Sequence, residues 1–277
     1  MDNFKEIKRY ISKNYNSNEI KALLKNKPDI NHLFDKDGNS LLHWAIISGN
    51  YPLAKALIKT NMNLDHKNSQ GCTPFEFAIQ YKEKKIIELL IKHHVKFFSR
   101  EGFTTLHAVS AYGNLNLFNK IVKNYRNQNM KDLYGRSPLH WAAQEGNLTI
   151  TKALIKNGAK VNLRDKEGFT ALYYAVAEGY NSFFNLLIAN GASYQMKYKS
   201  GSIMHVACAW NRLYIAKKLI RLGIKTNLIN KDGDTPLHYA FKYNYPELIR
   251  LLIRNEPKKD AENMDRWKPF ELETVNK

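Results

Sequence analysis

The 277-residue sequence predicts an all-α solenoid of stacked helix-turn-helix units with projecting hairpin-like loops, and three observations predict it. A six-residue phrase, Ser137-Pro138-Leu139-His140-Trp141-Ala142, returns in altered form along the chain. Its histidine position falls at His43, Glu76, His107, His140, Tyr173, His205 and His238, in steps of 33, 31, 33, 33, 32 and 33 residues. Behind each copy runs an apolar segment at helical spacing, as in Ile150-Ala153-Leu154 and Leu248-Leu251-Leu252. A sustained period of roughly 30 residues marks a repeat array, in which each unit buries its apolar face only against its neighbours.

Each element has a local cause. Thr73-Pro74, Ser137-Pro138 and Thr235-Pro236 set a hydroxyl N-cap before a proline at the first helical position, where the missing N–H costs nothing, and a short helix begins. Six residues past the histidine position stand Gly49, Gly113, Gly146 and Gly179, suited to the left-handed turn that closes a helix; Asn211 and Asn244 can serve there, and Lys82 departs from the pattern. The second, apolar helix follows. Turn residues such as Asp132-Leu133-Tyr134-Gly135, Asp165-Lys166-Glu167-Gly168 and Asn230-Lys231-Asp232-Gly233 then supply the loop that leads to the next unit. Helices this short are marginal alone, so stacking is the expected source of stability.

The phrase, its period and its helix-turn-helix grammar resemble those of ankyrin repeats. The resemblance divides the chain into a degenerate N-terminal capping repeat at residues 1–36, seven repeats at 37–263, and a partial eighth repeat or C-terminal cap at 264–277, where Lys268-Pro269-Phe270-Glu271 echoes the phrase. Irregularities gather in the third unit. The 31-residue step removes two residues around His93 to Ser99, and Val109 stands where most units carry a small alanine. Tyr125 and Gln128 replace the Gly158 and Val161 of the fourth unit, so the loop from Asn124 to Lys131 is expected to be looser than its neighbours.

Catalytic chemistry finds little support. Cys72 and Cys208 are far apart, and both read as packing residues in a reducing compartment. No GxxxxGK[ST], GxGxxG after a strand, GxSxG or HExxH occurs. His43, His107, His140, His205 and His238 recur once per unit, so stacked copies stand about 10 Å apart instead of converging on a metal at about 2 Å. The resemblance implies a structural role for them, bonding the backbone of adjoining loops. No metal, no cofactor and no enzyme activity is expected. The N-terminus lacks an apolar signal core, and no apolar run reaches the ~18 residues needed to cross a bilayer.

The expected function is therefore binding. The resemblance implies a concave surface made by loop tips and first helices, with the second helices outside. On it the sequence places Phe103, Leu133, Tyr134, Arg136, Phe169 and Tyr198 at tips, and Tyr112 and Trp210 just before the turn. A tip faces solvent unless something covers it, and aromatic and arginine side chains are favoured interface anchors, so these eight are the candidate partner-binding residues. The competing reading packs the rings on neighbouring tips. Lys and Arg number 43 against 25 Asp and Glu, giving a net charge of +18, but Lys55, Lys85, Lys152, Lys217 and Arg250 fall on second helices.

The leading expectation is a monomeric protein-protein interaction scaffold for a partner protein or peptide. The alternatives are a basic outer surface that binds nucleic acid or anionic membrane, and the targeting arm of a larger enzyme. An excess of Asn, Lys, Ile and Tyr, as in Lys13-Asn14-Tyr15-Asn16, resembles proteins of AT-rich genomes, where ankyrin arrays of host-associated microbes engage host proteins. That analogy implies a cytoplasmic location, or a host cytosol for an exported effector.

Overall fold

The computed structural model describes residues 32–60, 62–81, 83–93, 102–125, 127–255 and 263. Nearly all of the expected N-terminal cap, the segment 264–277, the shortened stretch after His93 and Lys82 lie outside the described residues. Within them run fourteen helices in seven pairs. The pairs are α1 (Leu41–Ile47) with α2 (Tyr51–Ile58), α3 (Pro74–Gln80) with α4 (Lys84–Lys92), α5 (Thr105–Tyr112) with α6 (Leu115–Ile121), and α7 (Pro138–Gln144) with α8 (Leu148–Lys156). They continue as α9 (Ala171–Glu178) with α10 (Asn181–Ala189), α11 (Ile203–Ala209) with α12 (Leu213–Arg221), and α13 (Pro236–Lys242) with α14 (Pro246–Asn255). A two-residue antiparallel ladder, β1 (Lys197–Tyr198) with β2 (Gly201–Ser202), precedes α11.

The core follows from two periodic choices. Two residues after the histidine position lies a fully buried Ala45, Ala78, Ala142, Ala175, Ala207 or Ala240, small enough for successive first helices to approach closely. Val109 takes that place in unit three and is equally buried. Ten residues after the histidine position begins a buried i, i+4 pair, such as Ile86 with Leu90, Phe183 with Leu187 or Leu248 with Leu252, which turns one face of each second helix inward. The turn between the helices is left-handed, with φ of 63° at Gly49, 79° at Gly179 and 53° at both Asn211 and Asn244. At Gly179 a Cβ would also lie 2.8 Å from the Arg212 guanidinium, which donates to the Ala177 carbonyl and would have to shift.

First helices stack on first helices and second on second, with one break. The successive first helices α1 and α3, and α5 through α13, pack directly on one another, whereas α3 and α5, and likewise α4 and α6, do not pack closely. The separation falls between units two and three, where the sequence period shortens. Across it Glu88 of α4 accepts from the Tyr112 hydroxyl at 2.9 Å and from Asn114 Nδ2 at 2.7 Å. In the loop that follows unit three, Tyr125 packs on the core and Gln128 Nε2 donates to its carbonyl at 2.9 Å.

Because a solenoid opens where its nearest-neighbour interface is weakest, hydrogen exchange should be uneven. Amides of 102–125 are expected to exchange before those of 135–165 in segment-resolved measurements; equal protection of the two segments would contradict the weak seam.

Candidate partner-binding surface

The surface rests on loops that are held by side chains of the first helices. At the start of each histidine-bearing helix, the backbone N–H of the N-cap residue donates to Nδ1: Ser40 to His43 at 3.1 Å, and Thr104 to His107, Ser137 to His140, Ser202 to His205 and Thr235 to His238 at 3.0 Å. An N–H can only donate, so Nδ1 carries the lone pair and the proton sits on Nε2. Nε2 then donates to a carbonyl of the next loop, from His43 to Cys72 at 3.1 Å, His107 to Arg136 at 3.1 Å, His140 to Phe169 at 3.2 Å and His205 to Asp234 at 2.9 Å. Each of these four imidazoles thus clips its unit to the one after it.

A second device, which sequence reasoning missed, shapes the loop itself. Eight residues before the histidine position stands Asp35, Asn68, Asp132, Asp165 or Asn230, whose Oδ1 accepts the backbone N–H groups two and four residues on, as from Tyr134 at 2.9 Å and Arg136 at 2.8 Å onto Asp132. In Asp35, Asp132, Asp165 and Asn230 the other side-chain atom reaches the aromatic residue that follows the histidine position, whereas Asn68 Nδ2 donates to Asn39. Trp44 Nε1 donates to Asp35 at 2.8 Å, Trp141 Nε1 to Asp132 at 2.9 Å and the Tyr174 hydroxyl to Asp165 at 2.7 Å. Burial alone would raise the Asp35 carboxyl, but the hydrogen bonds from Asn39 and Trp44 outweigh it and hold its pKa below the usual value. The sequence signal was present as an Asp or Asn nine residues before each such aromatic.

The tips divide into two groups. Leu133, Tyr134 and Trp210 are open to solvent, with 49%, 55% and 56% of their surfaces exposed. The expectation of solvent-facing rings fails for three others. Tyr198 is buried, with its hydroxyl 3.0 Å from Thr170 Oγ1, and Phe169 stacks on Tyr173 at a centroid distance of 3.8 Å. Phe103 is half-buried, stacked on the His107 ring at 5.4 Å and edge-on to Trp141 at 5.1 Å. The reason is a short reach to neighbouring rings: Phe169 lies over Tyr173 and Tyr174 of its own first helix, Tyr198 meets Phe169 and Tyr173 of the preceding unit, and Phe103 bridges His107 and the next unit's Trp141. Arg136 is half-buried too, its guanidinium 5.4 Å from the Trp141 ring and 5.2 Å from that of Tyr174, with Nη1 donating to Gln144 at 3.2 Å. Tyr112 is half-buried at the seam, its hydroxyl on Glu88. Open rings that complete the row with Trp210 are Tyr81 and Tyr243, each at the end of a first helix.

Among the described residues no cluster of three His, Cys, Asp or Glu side chains could hold a metal ion, and no helix is long and apolar enough to cross a membrane. The family model described as "Ankyrin repeats (3 copies)" matches residues 9–101, 105–198 and 194–265. The chain is an ankyrin-repeat protein.

Its ankyrin stack is similar to the human ASB11 ankyrin repeat domain, with a TM-score of 0.63 and 23% identity over 73% of this chain and 91% of that one, a likeness of fold alone. In sequence the repeats are 35% identical over 81 residues to the palmitoyltransferase ZDHHC13 of Homo sapiens, a match that covers 29% of this chain and 13% of the transferase. They are also 28% identical over 124 residues to a putative ankyrin repeat protein, FPV223, of fowlpox virus, covering 44% of this chain and 86% of the viral protein. Ankyrin repeats are generally protein-protein interaction modules, typically without catalysis.

The clips make the ankyrin stack acid-sensitive. Burial pushes His43 down to about 4 despite its bond to the Cys72 carbonyl, and burial also lowers His107, His140 and His205. The unfolded chain takes up these protons near pH 6.5, so stability is full above that value and falls as pH drops toward the folded pKa values. His43 alone accounts for about 3 kcal/mol between those limits. Denaturant melts should lose stability steadily from about pH 7 to about pH 5, above the range where unperturbed carboxylates titrate; a flat profile there would contradict the burial of these imidazoles in neutral form.

Proposed function

We propose that this ankyrin stack is a non-catalytic scaffold that holds a partner protein or peptide on the face built by its loop tips and first-helix ends. The observation that carries the reading is the row of open apolar side chains on that face: Tyr81, Leu133, Tyr134, Trp210 and Tyr243. Such residues cost solvation when left bare, and Tyr and Trp are the anchors most often found at interface hot spots. Part of the basic charge stands apart from this row, since exposed Lys55, Lys85, Lys152 and Lys217 lie on second helices and keep the opposite layer solvated, while at the tips Lys199 and Lys231 pair with Glu167 and Asp232. Arg136, Phe169 and Tyr198 support the tips from beneath, and Phe103 and Tyr112 border the seam. A partner within a host cell is the finer reading, supported by the Asn- and Lys-rich composition and by the likeness to a viral ankyrin-repeat protein.

Replacing Leu133, Tyr134 and Trp210 together by alanine is expected to weaken partner capture at least about 30-fold, the effect of losing one hot spot of about 2 kcal/mol, with the helical signal and melting midpoint unchanged because these side chains bury little. Capture at the parental level by a folded triple variant would remove this face from the reading.

A further inference from the structure

The seam between units two and three is more than a weak joint. It opens a cleft of about 950 Å³ between α3 and the first-helix layer of units three and four. Its walls are apolar, with Ile79 and Ile87 on one side and Phe103 and Trp141 on the other. Charge is distributed unusually there. In a chain of net charge +18, the charged side chains that line the cleft among the described residues are Glu76, Asp132 and Glu145 against Lys84.

Glu76 explains both the opening and the charge. It occupies the histidine position of unit two, where its Oε2 accepts from Thr73 N and from Thr73 Oγ1 at 3.0 Å, so it reproduces the Nδ1 half of the clip. The other half needs a donor. A carboxylate has none, so Glu76 cannot make the Nε2 half of the clip. Unit five shows that losing the histidine does not by itself part the units: Tyr173 fills the position with a ring packed on Phe169 and Tyr198, and α9 and α11 stay in contact.

We propose that this cleft is the docking groove for an apolar segment of the partner that carries a cation, an Arg or Lys flanked by aliphatic residues. The aliphatic side chains would meet Ile79 and Trp141, and the cation would meet Glu76 and Glu145. Charge complementarity selects this occupant. The basic second helices repel a cationic segment at long range, but that repulsion is screened beyond about 10 Å, whereas the carboxylates act at contact in a partly dry groove. An acidic segment is drawn to the outer lysines and rejected here. The proposal rests on the scaffold reading above and assigns it a partner chemistry.

The test uses an end-blocked hexapeptide alternating Leu and Arg, its Leu/Glu and Ser/Arg counterparts, and amide and indole N–H spectra of the full chain. Expected is saturable binding of the Leu/Arg peptide at about 1 mM or tighter, with shifts at the Trp141 indole and around Ile79, and neither counterpart bound there. Glu76→Gln with Glu145→Gln should weaken that binding at least about tenfold with the fold unchanged. Glu76→His, which restores the donor, should raise the melting midpoint and reduce peptide binding. No saturation, equal binding of the Leu/Glu peptide, or indifference to the paired glutamine variant overturns the groove. If partner capture still depends on Leu133, Tyr134 and Trp210 in that case, the scaffold reading stands without it.

Discussion

Stability in this chain turns on a neutral imidazole used from both sides. Nδ1 receives the N-cap amide of its own helix, and Nε2 gives its proton to a carbonyl of the following loop. A single side chain therefore satisfies two buried backbone groups that belong to different units, each of which would otherwise cost about 1–3 kcal/mol. The tautomer is dictated by these partners, and so is the absence of charge, since a proton on Nδ1 would point at an N–H. Burial lowers the pKa for the same reason that the clip works: the site has no water to solvate an imidazolium.

The two departures from histidine show how much of the stacking this clip carries. Tyr173 substitutes area for a hydrogen bond, with its ring over Phe169 and beside Tyr198, and the buried Tyr198 hydroxyl finds Thr170. Aromatic burial of that kind contributes as much as a net hydrogen bond or more. Glu76 offers neither donor nor ring, and two residues are missing from the period directly after it. Two changes, the lost donor and the shortened period, thus meet at one interface, while Val109, in the alanine position of the next unit, is fully buried in the core.

Much of this was legible in the sequence because repetition averages out local ambiguity. A lone Ser-Pro-Leu-His is weak, but its return at a near-constant step placed the helix-turn-helix units and the left-handed turns inside them at Gly49, Gly113, Gly146, Gly179, Asn211 and Asn244. The shortened step located the seam. The tips were less legible, since exposure depends on where a side chain leans, which the period does not encode. Phe103, Phe169 and Tyr198 occupy tip positions yet fold back onto aromatic neighbours, while Leu133 and Tyr134, one unit along from Phe103, stay out. The Asp and Asn that brace each loop were hidden for another reason: loop acids are ordinarily read as solvated, and only the bond from Trp44 or Trp141 reveals the second use.

Charge and shape are arranged independently in a fold of this kind, and that permits the local inversion at the seam. Each unit contributes a tip, an inner helix and an outer helix, and neighbouring units constrain only the buried positions. Lysine can therefore accumulate on exposed outer positions such as Lys85 and Lys152 without disturbing the stack. The histidine position is not free in the same way, because it faces the next unit. A carboxylate there bears on packing and electrostatics together: Glu76 lacks the donor that clips other units, and its charge lines the cleft at the seam where the period is also shortened. At such a position a binding preference and a local loss of stability have one physical origin.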